Sequence, residues 1–81
     1  MRIFTLDEKY SVVCDTKSTR NGFKHIASLF RNGISIDDTK ICYLNRTYEY
    51  FTYESVLVKI VTKKFTGTDK EKYLNVIKTF Q

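Results

Sequence analysis

Two Asn-Gly dipeptides, Asn21-Gly22 and Asn32-Gly33, stand on either side of the run Phe23 to Phe30 and limit what the chain can build there. Asn-Gly is the strongest short-range hairpin signal, because both central positions of a type I′ turn need φ > 0. Periodicity leaves the run between them ambiguous. Phe23, Ile26, Leu29 and Phe30 fit a helical face, whereas Phe23, His25, Ala27 and Leu29 fit one face of a strand. The run is short for a helix and has a turn at each end, so it is read as a strand. That choice leaves Lys24, Ile26, Ser28 and Phe30 on the other face, with apolar side chains pointing both ways.

Upstream, Arg2 to Leu6 reads as a short strand closed by the polar Asp7-Glu8-Lys9, and Tyr10 to Thr16 alternates with the period of two. Ile34 to Asp38 is a connection or a short strand, and Thr39 to Phe51 a long one. The stretch Tyr43 to Val61 then runs from an aromatic strand into an amphipathic helix without Gly or Pro. Thr52 is a candidate cap for that helix, and Val56, Leu57, Ile60, Val61 and Phe65 form its apolar stripe. Gly67 is expected to end it, and the capping box Thr68-Asp69-Lys70-Glu71 to open a second helix with Tyr73, Leu74, Ile77 and Phe80 inward. The expected fold class is α+β: an antiparallel three- or four-stranded meander followed by two short helices packed on one face. All of residues 1–81 form one domain.

Composition narrows the chemistry more than it names it. Fourteen Lys and Arg against nine Asp and Glu give a net charge of +5, which favours acidic partners. His25 is the only histidine, and Cys14 and Cys42 are isolated, so no four-ligand zinc set exists and no metal or other cofactor is expected. Both cysteines lie in strand-like apolar runs and are expected to be buried thiols. Asp37-Asp38 reads as a turn pair, and neither Asn-Gly belongs to a phosphate-binding pattern. No catalytic constellation follows, and the chain is expected not to be an enzyme. No apolar run suits a signal peptide or a membrane span, so a cytoplasmic protein with no membrane partner is expected.

Cations and rings are the suggestive part. Lys17, Arg20 and Lys24 flank the first Asn-Gly, Arg31 precedes the second, and Arg46 stands beside Tyr48 and Tyr50. Strand-borne aromatics among cations are the parts of a single-strand nucleic-acid platform, and a basic hairpin tip could enter a groove. The same rings could instead pack against the helix, and Arg46 could tie the strand to the helix start.

The run Ser18-Thr-Arg-Asn-Gly-Phe-Lys-His25, followed by Tyr43-Leu-Asn-Arg-Thr-Tyr-Glu49 and Glu54-Ser-Val-Leu57, resembles small proteins encoded by phages and integrated mobile elements of Gram-positive bacteria. Their pattern is a Thr-Arg-x-Gly-Phe-x-His hairpin, a Tyr-x-Asn-Arg-Thr-Trp-Glu strand and a helix opening with Ser-Val. This chain departs from it in carrying Tyr48 in place of Trp. The resemblance implies a bacterial host and a stoichiometric binder, such as an anti-CRISPR-like inhibitor of nucleic-acid-based defence. Its partner would be a host protein or ribonucleoprotein complex; the alternative is direct DNA or RNA binding through the basic β-hairpin. An unpaired strand edge could also join two copies as a homodimer.

Overall fold

A computed structural model describes residues 1–44 and 53–80. Four strands come first, β1 (Arg2–Thr5), β2 (Tyr10–Thr19), β3 (Gly22–Arg31) and β4 (Ile34–Tyr43). They form one antiparallel sheet in sequence order, an up-and-down meander. Two helices follow, α1 (Glu54–Lys64) and α2 (Gly67–Lys78). The α+β architecture is the one the sequence pattern implies, with four strands rather than three.

The run between the two Asn-Gly dipeptides is strand, as its length and flanks suggest. Phe23, His25, Ala27 and Leu29 all lie on the buried face of β3. Cross-strand pairing sets Val12 opposite Leu29 and Cys14 opposite Ala27, which builds the sheet side of the core. Val56, Leu57, Ile60 and Val61 of α1, with Tyr73 and Ile77 of α2, supply the other side. Leu74 and Phe80 pack at its margin.

The two hairpins differ in mechanism although both contain Asn-Gly. Asn32 (φ 51°) and Gly33 (φ 82°) are both left-handed and sit between the paired Arg31 and Ile34, the geometry a type I′ turn requires. In the first hairpin the paired residues are Thr19 and Gly22, so the turn is Arg20-Asn21 and Gly22 belongs to the strand. Neither Asn21 nor Gly22 has positive φ. Gly22 is instead required by space, since a β-carbon there would run into the carbonyl oxygen of Tyr43 on β4.

Ile34 to Tyr43 is a single strand, with a register shift opposite Leu29 and Phe30. Of the strand expected over Thr39 to Phe51, Thr39 to Tyr43 belongs to β4; its continuation in residues 45–52, together with the candidate cap Thr52, lies outside the described residues. At the interhelical corner Phe65 leaves α1 in an extended conformation, and its ring packs edge-on to Tyr10 at 5.1 Å and tilted against Tyr73 at 4.5 Å. Gly67 (φ 61°) opens α2 rather than closing α1. Thr66 precedes the helix without a side-chain capping bond, so the expected box at Thr68–Glu71 falls inside the first turn.

Candidate binding surface

The sheet has two unlike faces. Side chains at the even positions of β2 and the odd positions of β3 point under the helices. The opposite parity points outward, and among the described residues no element packs on it. Pairing places these outward side chains in rows: Thr5–Ser11–Phe30–Ser35, Ile3–Val13–Ser28–Asp38, Asp15–Ile26–Lys40 and Lys17–Lys24–Cys42. Ile26 and Phe30 are both diagonal neighbours of Val13, close enough for side chains to meet. Ile3, Val13, Ile26 and Phe30 therefore make one apolar patch on the uncovered face, with Ile3 61% exposed.

Cations gather at the hairpin end of that patch. Lys17 and Lys24 are direct cross-strand partners, an arrangement in which like charges repel. Lys40 lies diagonal to Lys24, and Arg20 is exposed at the turn beyond them. Among the described residues none of the three lysines has an ion pair. Asp15, in the next row, faces the N-terminal ammonium at 3.7 Å.

The structure thus brings Lys17, Arg20 and Lys24 together and separates Arg31 from them. Seven residues of extended chain put Arg31 roughly 23 Å from Lys24 along the strand. Its guanidinium stands 5.7 Å from the centre of the Tyr10 ring, a packing role. Arg46, Tyr48 and Tyr50 lie outside the described residues. Lys40 was missed by the sequence reading. Only the β3–β4 register reveals that it shares a face with Lys24.

Other polar groups serve the fold. His25 is buried, with the rings of Phe23, Tyr43 and Tyr53 centred 5.2, 5.3 and 4.9 Å away. The Thr16 hydroxyl donates to the Tyr53 oxygen at 3.0 Å and lies 2.8 Å from His25 Nδ1. Cys14 is buried, and burial pushes its thiol up to about 12. Cys42 is exposed on the open face, contrary to the expected burial of both thiols. Two strand spacings, about 10 Å, and opposite faces keep these cysteines from forming a disulfide.

Among the described residues no group of three or more His, Cys, Asp or Glu is placed to hold a metal. A groove between α1 and α2, lined in part by Val58, Leu74 and Lys78, is broad and open. No described helix is long and apolar enough to cross a membrane.

No family model, curated protein or solved structure matches this chain.

Proposed function

We propose that this chain is a small non-enzymatic binding protein of the phage or mobile-element kind. It acts stoichiometrically on host nucleic-acid-handling machinery in the bacterial cytoplasm, as an anti-CRISPR-like inhibitor of nucleic-acid-based defence. The observation that carries the binding role is the sheet face on which, among the described residues, no element packs. A half-covered antiparallel sheet ordinarily turns polar residues to solvent, yet here Ile3, Val13, Ile26 and Phe30 form a patch beside Lys17, Lys24 and Lys40. Apolar contact area with Lys17, Lys24 and Lys40 gathered at one end, and with Asp15 and Asp38 in its rows, suits a protein or ribonucleoprotein surface that offers apolar groups next to charges of both signs, acids foremost. A tagged chain should recover a stoichiometric partner from bacterial lysate, and Ile26→Glu should abolish that recovery. Repeated recovery of none, or capture indifferent to Ile26→Glu, overturns the reading.

The Lys17–Lys24 pair with Arg20 at the tip favours a second reading, direct nucleic-acid binding. Phosphates would relieve the repulsion between the paired lysines, and affinity would fall steeply with salt. Against it, the outward apolar groups among the described residues include one ring, Phe30, where a single-strand platform stacks bases on several. Absence of a gel shift at low salt with single and double strands eliminates this reading.

A further inference from the structure

The edge of β4 is occupied by side chains, and its charges complement a copy of itself. In the β2–β3 hairpin, Thr19 and Gly22 close a two-residue turn as a bonded pair. Backbone bonding alternates along an antiparallel ladder, so His25, Ala27 and Leu29 direct their amides and carbonyls at β4. Their partners Ile41, Thr39 and Asp37 face back toward β3. The amides and carbonyls of Asp38 and Lys40 consequently point away from the sheet, where a fifth strand would bind.

Side chains already hold three of those four groups, both carbonyls and the Asp38 amide. Lys63 Nζ donates to the Asp38 carbonyl at 2.9 Å, and Lys59 Nζ to the Lys40 carbonyl at 2.8 Å. The Asp38 amide donates to Asp37 Oδ1 at 2.8 Å, and Lys63 bonds that same oxygen at 3.0 Å. Edge strands invite pairing with other chains, and lysines are a common means of preventing it. Here the lysines come from the helix rather than from the strand itself.

The sequence beneath them favours one partner. Antiparallel pairing about a two-fold axis through Thr39 sets Asp38 of one copy opposite Lys40 of the other, twice over, and opposite charges so placed attract. An axis through Asp38 would oppose two aspartates, and one through Lys40 two lysines. We infer that β4 is a homodimerisation edge held closed by Lys59 and Lys63 of α1, on which a second copy pairs in the Asp38–Lys40 register when those lysines no longer hold the carbonyls. This inference stands on the backbone of the edge and on Lys59 and Lys63, which lie away from the open-face patch; it shares Lys40 with that patch.

Size-exclusion chromatography with light scattering tests it. The native chain should have monomer mass and Lys59→Ala/Lys63→Ala dimer mass. Both lysines are exposed and alanine favours helix, so α1 persists; circular dichroism verifies this. A Lys59→Met/Lys63→Met pair, keeping stem length without a donor, serves should the Ala pair lose fold. Adding Asp38→Lys should return the variant to monomer, and adding Lys40→Asp to that should restore the dimer. A dimeric native chain, a folded variant without Lys59 and Lys63 that stays monomeric, or a dimer indifferent to Asp38→Lys overturns the inference.

Discussion

Tyr73 donates a 2.7 Å hydrogen bond to the carboxylate of Asp7, a residue 66 positions earlier in the chain. One carboxylate thereby ties α2 to the β1–β2 turn, because its other oxygen accepts the amides of Lys9 and Tyr10, each at 2.8 Å. Burial alone would raise the Asp7 carboxyl. The bonds from Tyr73, Tyr10 and Lys9, with the Lys72 ammonium at 3.7 Å, outweigh it and hold Asp7 below the ordinary carboxylate value.

A carboxyl whose folded value lies below its unfolded one contributes stability above the unfolded value, about 3.9 for Asp, and loses it as pH falls through the folded value. Tyr73→Phe should lower stability at neutral pH by ~1–2 kcal/mol. The variant should also show a shallower loss of stability below about pH 4. Urea unfolding across pH 2–7 measures both; identical pH profiles for the two proteins would refute the linkage.

Gly22 and Gly33 are both turn glycines in sequence, but they should respond differently to alanine. At Gly33 nothing lies near the added carbon, and the strain is backbone only, about 1 kcal/mol. At Gly22 the carbon meets the Tyr43 carbonyl, and the β3–β4 spacing must change, costing about 1–3 kcal/mol. Thermal melting should rank Gly22→Ala as the more damaging substitution.

Lys17→Glu turns a repulsive cross-strand pair into an attractive one. It should raise stability by roughly 0.2–1 kcal/mol while weakening capture of the partner. A denaturation midpoint and a pulldown on the same sample check the opposed signs. A fall in both would mark Lys17 as a structural residue.

Thr16→Val should destabilise by about 0.5–1.5 kcal/mol, because it removes the hydroxyl that bridges buried His25 and half-buried Tyr53. Thr16→Ser restores a hydroxyl and should recover most of the loss. Equal losses for the two variants would place the effect in packing rather than in the hydrogen bonds.

Thiol reagent at neutral pH should label one cysteine per native chain, Cys42, and two in denaturant. Cys14 resists because it is buried and its thiol is pushed up to about 12. Two fast-reacting thiols in the native state would contradict the placement of Cys14.

Much of this fold is legible in the sequence, for reasons that can be stated locally. Period-two alternation from Tyr10 and the turn dipeptides mark β2 and β3, and the stripe from Val56 to Phe65 matches the buried side of α1 and its exit. Where sequence reasoning failed, non-local contacts decided. Asn21-Gly22 marks a hairpin, yet the glycine answers to the Tyr43 carbonyl and not to a positive φ. Gly67 is left-handed as expected but begins a helix, since Phe65 has already left α1 to place its ring between Tyr10 and Tyr73. On the surface, Arg20, Lys17 and Lys24 are neighbours in sequence and in space, whereas the contributions of Lys40, Lys59 and Lys63 depend on register and helix position. Asp7 carried no signal beyond that of a polar turn residue.

Among the described residues, strands precede helices, and that order bears on synthesis. The sheet can hydrogen-bond itself as it leaves the ribosome, but Val12, Cys14, Ala27 and Leu29 have no lid until α1 and α2 have emerged. Until then the nascent meander displays its future core face, the patch of Ile3, Val13, Ile26 and Phe30, and a β4 edge without Lys59 and Lys63, a form suited to chaperone capture or to clumping with other nascent chains.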